Sequence, residues 1–161
     1  MTIIKTKITP CLWYDGQALP AAEHYVSLFP NSRIKAVSHY PEGTPGETGS
    51  VMTVDFELDG QPFVGLNGGP EFHFSEAVSF QLDCADQAEV DHYWDGLIAD
   101  GGEEGPCGWL KDRFGLSWQV VPARLPQLLQ DSDPARAQRA MQAMMSMKKI
   151  DVAAIEAARR G

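Results

Sequence analysis

The chain has 161 residues, 43% of them hydrophobic and 22% charged, enough for a soluble globular core without disulfides or metal. Its 13 Lys and Arg stand against 22 Asp and Glu, a net charge of −9. That balance argues against nucleic acid or an anionic membrane surface as partner, because both are gripped by clustered cations.

Residues 6–14, "TKITPCLWY", are rich in β-branched and aromatic types and predict a strand. A turn, "DGQALP", leads into a helix whose Ala22, Tyr25, Val26 and Phe29 fall on one apolar face. "SRIKAVSHY" predicts a second strand, and "PEGTPGETG" is dense enough in Pro and Gly to predict a mobile loop. In "SVMTVDFEL" Met52, Val54, Phe56 and Leu58 alternate with Val51, Thr53, Asp55 and Glu57, the period of a strand with one buried face. Asp59-Gly60 is a hairpin signal, and "QPFVGLN" is its returning strand.

"GGPEFHF" links to "EAVSFQLDC", another strand. Asp86, with Glu89 three residues on, makes a capping box for a helix that places Val90, Tyr93, Trp94, Leu97 and Ile98 on one face. Gly101 and Gly102 stop it. "CGWLKDRFGLSWQVVP" reads as strand, turn, strand, with Leu116, Trp118 and Val120 toward the helix layer and Ser117, Gln119 and Val121 on the other face. Trp109 is expected to pack across this hairpin from Trp118. Asp133-Pro134 opens a helix that carries four methionines in seven residues, and Asp151 caps a second, "VAAIEAARR". The methionine-rich surface suggests a helix laid across a partner subunit.

The helices repeat. His24-Tyr25 recurs as His92-Tyr93, and the same spacing carries Ala22, Tyr25, Val26 and Phe29 onto Val90, Tyr93, Trp94 and Leu97. With "SLFPNSRI", "GSVMTVDFELDGQPFVGLNGGPEFHFSEAVSFQL", "CGWLKDRFGLSWQVVP" and "AMMSMKKIDVAAIEAA", the chain resembles the PhnB-like proteins of the vicinal-oxygen-chelate superfamily, which includes glyoxalases and bleomycin-resistance proteins. The resemblance implies an α+β protein of two βαβββ modules, about 1–70 and 71–131, whose curved mixed sheets form a concave cup. A helical tail, 132–161, follows, and the resemblance favours a homodimer.

Such sequences often carry a demethylubiquinone methyltransferase label, but no G-x-G-x-G follows a strand here, so S-adenosylmethionine is not expected as a cofactor. Metal-dependent members of the superfamily place His, Glu or Gln on the first and last strands of each module. About four residues after the turn glycine stand Val64 in one module and Gln119 in the other; the first strands offer Ile8, Thr9 or Pro10, and Glu76, Val78 or Ser79. Gln119 and Glu76 alone are too few for a stable divalent site, so no metal or other cofactor is expected.

His24 and His92 border apolar helix faces, His39 precedes the loop, and His73 lies in the linking segment, facing either solvent or the cup mouth. Cys107 has no neighbouring His or Arg to lower its pKa and reads as structural. The three cysteines, Cys11, Cys84 and Cys107, lack C-x-x-C spacing and suit a reducing cytoplasm. The ligand-binding candidates are Gln119, Trp13, Asn67, His73, Glu76 and Trp109. The function expected is metal-independent binding of a small organic molecule. The alternatives are a superfamily enzyme of glyoxalase, isomerase or dioxygenase type with a degenerate metal site, and a drug- or metabolite-sequestering resistance protein.

Overall fold

Alternating apolar residues build two separate four-stranded sheets, each with one helix against one face. The computed structural model describes residues 6–161; residues 1–5, the start of the first predicted module, lie outside the described residues. One compact unit ends at His73 and the other runs Phe74–Gly161.

The first unit contains β1 (Cys11–Tyr14), α1 (Ala18–Leu28), β2 (Arg33–His39), β3 (Val51–Leu58) and β4 (Gln61–Asn67). Its sheet has the order β1-β4-β3-β2, with β1 parallel to β4 and the other pairs antiparallel. The strand predicted over 6–14 begins only at Cys11. Pro10 has no N–H to give the ladder, and its carbonyl accepts the last bond, from Val64 N at 2.9 Å. Val54, Phe56 and Leu58 are buried together with Ala18, Ala21, Ala22 and Tyr25 of α1, as the alternation requires. Gly65 allows α1 close to the sheet: a Cβ there would lie 3.2 Å from that of Ala18. Asp59 and Gly60 both take positive φ, 48° and 81°, the demand of a type I′ hairpin turn. The loop after β2 is tied at its base by Tyr40 N to Ser50 O and Gly49 N to Tyr40 O, both 2.9 Å.

The second unit repeats the plan with β5 (Ser79–Cys84), α2 (Gln87–Ile98), β6 (Glu103–Glu104), β7 (Trp109–Lys111) and β8 (Ser117–Pro122). The order is β5-β8-β7-β6, again with the first and last strands parallel. The recurrence of order and sense bears out the βαβββ repeat. β6 escapes sequence reading because two residues carry no periodicity. Asp86 accepts from Glu89 N at 2.9 Å, while the Glu89 carboxylate takes the amide of Ala85, one residue before the cap. Val90, Trp94 and Leu97 of α2 are buried with Leu110, Leu116, Trp118 and Val120.

One expectation is corrected here. Trp109 does not pack across from Trp118: its register partner is Gln119, and Trp118 pairs with Leu110. The side chains of paired residues share a face, so Trp109 stands on the Gln119 side of the sheet, away from the helix.

The β7–β8 turn is organised by Asp112, which is only 3% exposed. Its carboxylate accepts from Phe114 N (2.9 Å), Leu116 N (3.1 Å) and Trp118 Nε1 (2.9 Å). These charge-assisted bonds explain how a carboxylate is held in the core.

The tail forms α3 (Leu125–Leu129), α4 (Pro134–Met145) and α5 (Val152–Arg160). Asp133 and Asp151 cap α4 and α5 as predicted, accepting from Ala135 N and Ala154 N at 3.0 Å. Leu128, Ala140, Ile150 and Ile155 make a small core, with Met144 and Met147 against it. The tail also docks on its own unit. Cys107 N and Gly108 N donate to the carbonyls of Met147 (2.9 Å) and Lys148 (2.8 Å). The Gln87 side chain bonds both Ile150 O (3.0 Å) and Val152 N (2.9 Å). Only part of the methionine surface faces outward: Met141 is 40% and Met145 65% exposed. Among the described residues no helix is long and apolar enough to cross a membrane.

Candidate functional site

The face of the second sheet opposite α2 carries Trp109 and Lys111 on β7 and Ser117 and Gln119 on β8, because each pair is in register. A cavity of about 440 Å³ opens there, lined by Trp109, Lys111, Ser117, Glu76, Glu103 and Glu104 among others. Its walls are set by alternation along short strands, with Gly105 and Pro106 leading the chain back toward Trp109. Gly105 N donates to Trp109 O at 2.8 Å and Trp109 N to Pro106 O at 3.0 Å.

The charges are mostly engaged. Lys111 Nζ pairs with Glu76, which holds the Glu76 carboxyl below its usual range and raises the Lys111 ammonium above its own. Glu104 accepts from the buried Trp94 indole at 3.2 Å and lies 3.7 Å from Lys148 Nζ. Gln119 donates to Ser79 Oγ at 2.9 Å, so its amide is tied within the sheet. Ser117 differs. It is 1% exposed and its Oγ has no hydrogen-bond partner among the described residues. A buried hydroxyl without a partner costs free energy on the order of 1–3 kcal/mol, so this one is poised for a group that enters the cavity.

The first unit has a cavity of about 700 Å³ that brings Trp13 and Asn67 together with Tyr40, Asp15, Glu47 and Glu71. Asn67 is a framework residue. Its Oδ1 accepts from Ala18 N at 2.9 Å, capping α1, where Gln17 makes no side-chain cap, and its Nδ2 donates to Val51 O at 3.1 Å. Tyr40 OH donates to the Asn67 carbonyl. Trp13 Nε1 donates to Gly69 O at 2.8 Å, and its ring meets Phe72 edge-on with centroids 4.9 Å apart. His73 is exposed and lines neither cavity.

Of the sequence candidates, Trp109 and Glu76 share the second cavity, Gln119 lies on the same sheet face, and Trp13 and Asn67 share the first. Sequence reasoning passed over Ser117, Lys111 and Glu103. The signal for Ser117 was present, since it alternates in phase with Gln119.

The metal site that the sequence resemblance implies does not fit the residues present at its positions. Val64 is in register with Cys11 and Gln119 with Gln81. Glu76 is engaged by Lys111 and Gln119 by Ser79. No three His, Cys, Asp or Glu side chains gather into a possible metal site among the described residues. Cys107 Sγ lies 3.7 Å from Met144 O, and Cys84 is buried with its thiol pushed up to about 12 by desolvation and then by the Glu89 and Asp83 carboxylates.

Comparison with known proteins gives a consistent picture. A family model described as 3-demethylubiquinone-9 3-methyltransferase matches residues 6–121. A PhnB protein from Bacillus cereus is 34% identical over 73% of this chain and 100% of its own, with a TM-score of 0.66. A protein from Pseudomonas aeruginosa is 18% identical, covering 73% of this chain and 98% of its own, at a TM-score of 0.62. The genomically encoded fosfomycin resistance protein FosX from Listeria monocytogenes is 16% identical over 80% of this chain and 100% of its own, at 0.51. The last two are likenesses of fold. No curated protein matches the chain.

Proposed function

From the premise that this chain belongs to the 3-demethylubiquinone-9 3-methyltransferase family, as a PhnB-like member of the vicinal-oxygen-chelate superfamily, we propose that it binds a small organic molecule without a metal, in the cavity of its second unit. The observation that carries the reading is the buried Ser117 hydroxyl, unpartnered among the described residues in the wall of a cavity that also presents an indole, an ion pair and two further carboxylates. Concave sites that mix apolar walls with a few directed polar groups are the usual form of small-molecule sites.

Each wall has a task in this reading. Trp109 offers an aromatic surface for stacking. Ser117 Oγ can donate or accept a single directed bond. The Lys111–Glu76 pair closes one side. The lining has no histidine beside Ser117 to take its proton, which suits recognition better than nucleophilic attack. The exposed Met141 and Met145, one turn apart on α4, are proposed as part of a homodimer contact. Three unpaired cysteines support a reducing, cytoplasmic setting.

Native mass spectrometry of freshly purified protein tests the function. The expected spectrum holds no stoichiometric divalent metal, and any co-purified organic molecule is lost or weakened in S117A, which removes the hydroxyl and adds no atom to the cavity wall. One tightly held Zn, Mn, Fe or Ni per chain would overturn the metal-free reading.

A further inference from the structure

We propose that the second unit's cavity selects a ring-bearing organic ammonium ion over anionic or neutral molecules of the same shape. The inference rests on the reading of that cavity as the ligand site and names the chemistry of its occupant. Its walls hold three carboxylates, Glu76, Glu103 and Glu104, and one cation, Lys111. Glu76 neutralises Lys111. Glu104 holds the Trp94 indole and faces Lys148 at 3.7 Å. Glu103 is left: it lies opposite Lys111 in the β6–β7 register, where its charge helps to hold the Lys111 proton, but it makes no hydrogen bond or ion pair within 4.0 Å among the described residues. The Lys111 ammonium, already paired, is poorly placed to hold an incoming anion as well.

Beside that surplus negative charge stands the Trp109 indole. An aromatic face near a carboxylate is the arrangement that stabilises a partly desolvated cation, through the ring quadrupole and the charge together. The hydroxyl of Ser117 then accepts one N–H of the ammonium or meets a polar substituent of the ligand; it is the buried polar group left without a partner on this face. The net charge of −9 draws cations toward the chain. The first unit's cavity has the same polarity, with Asp15, Glu47 and Glu71 around Trp13 and Tyr40 and no Lys or Arg among the described residues of its lining.

Three compounds of one shape test the inference on the full chain: phenethylammonium, 3-phenylpropionate and 2-phenylethanol. Binding is followed by the Trp109 indole N–H signal in nitrogen-edited NMR, assigned by its loss in W109F. The expected result is that phenethylammonium shifts the signal and binds about tenfold more tightly than either isostere, a difference of about 1.4 kcal/mol. E103Q, at an exposed position, reduces that preference severalfold, and added salt does the same. Equal or tighter binding of the carboxylate or the alcohol at Trp109 overturns the cation preference while leaving the cavity as the ligand site. A preference unchanged in E103Q also overturns it. If none of the three moves the Trp109 signal at millimolar concentration, both the preference and the site fall.

Discussion

Replacing Asp112 with alanine should strip the β7–β8 hairpin of its organiser. The carboxylate accepts three N–H groups, from Phe114 and Leu116 on one oxygen and from the Trp118 indole on the other. Hydrogen bonds to a charged group contribute about 1.5–3 kcal/mol each, but desolvating the carboxylate opposes part of that sum. The net loss in D112A is then about 3–5 kcal/mol, most of it from buried donors left without partners. For a unit the size of Phe74–Gly161, each kcal/mol lowers the melting midpoint by about 4–8 °C, so a fall of at least about 10 °C is expected. D112N separates the contributions. Its one carbonyl oxygen still serves the Phe114 and Leu116 amides, while its NH2 faces the Trp118 N–H, donor against donor. It should therefore lose about half as much as D112A, with a change in tryptophan emission that reports on Trp118. Circular dichroism and fluorescence melts of the three proteins make the comparison. A D112A midpoint within about 2 °C of the parent would refute the assignment of Asp112 as the hairpin's anchor.

N67A removes the acceptor that caps α1 and the donor to Val51, and should cost about 2 kcal/mol in chemical denaturation, with N67D recovering the cap alone. Iodoacetamide should label the exposed Cys11 in the native protein and Cys84 only after unfolding, as peptide mass spectrometry would record. Because burial raises the Cys84 thiol to about 12, the folded state binds its proton more tightly than the unfolded chain does; the resulting stability is complete below about pH 8.5 and lost as pH climbs toward 12, so denaturation midpoints of C84V should fall less steeply over that interval than those of the parent. M141E/M145E should dissociate the proposed homodimer in light scattering while leaving the circular-dichroism spectrum of the folded chain unchanged, since both side chains are exposed and the inward methionines are Met144 and Met147; a persistent dimer would place the contact elsewhere.

Much of this architecture is written locally. The alternation in Val51–Leu58, the Asp59-Gly60 turn and the caps Asp86, Asp133 and Asp151 each act within a few residues, so the sequence displays them directly. What the sequence does not display depends on partners that no local pattern marks. The facing of Trp109 depends on hairpin register, which the turn around Asp112 determines, and no composition of "WLKDRFGLSW" reveals that a carboxylate bonds an indole six residues on. That Asn67, a residue of the first cavity, also caps a helix 49 positions earlier is equally invisible in the sequence. The cavity's surplus charge was equally hidden, because Glu103 enters it from a two-residue strand with no pattern of its own.

Cys107 and Gly108, at φ 55° and 83°, turn two consecutive amides toward the carbonyls of Met147 and Lys148. A Cβ at Gly108 would come within 2.9 Å of Ile150 Cδ1 and Val120 O, so this junction tolerates no side chain. The next residue is Trp109. Release of the last two helices thus breaks both of these hydrogen bonds together and frees the backbone immediately before the indole wall. Hydrogen exchange at the 107 and 108 amides should then occur in a single sub-global opening step, with the tail and the hairpin's first strand behaving as one cooperative unit. A molecule seated on Trp109 would slow that exchange without touching the tail, and by reciprocity any partner that steadies α4 and α5 would tighten the hold on the molecule.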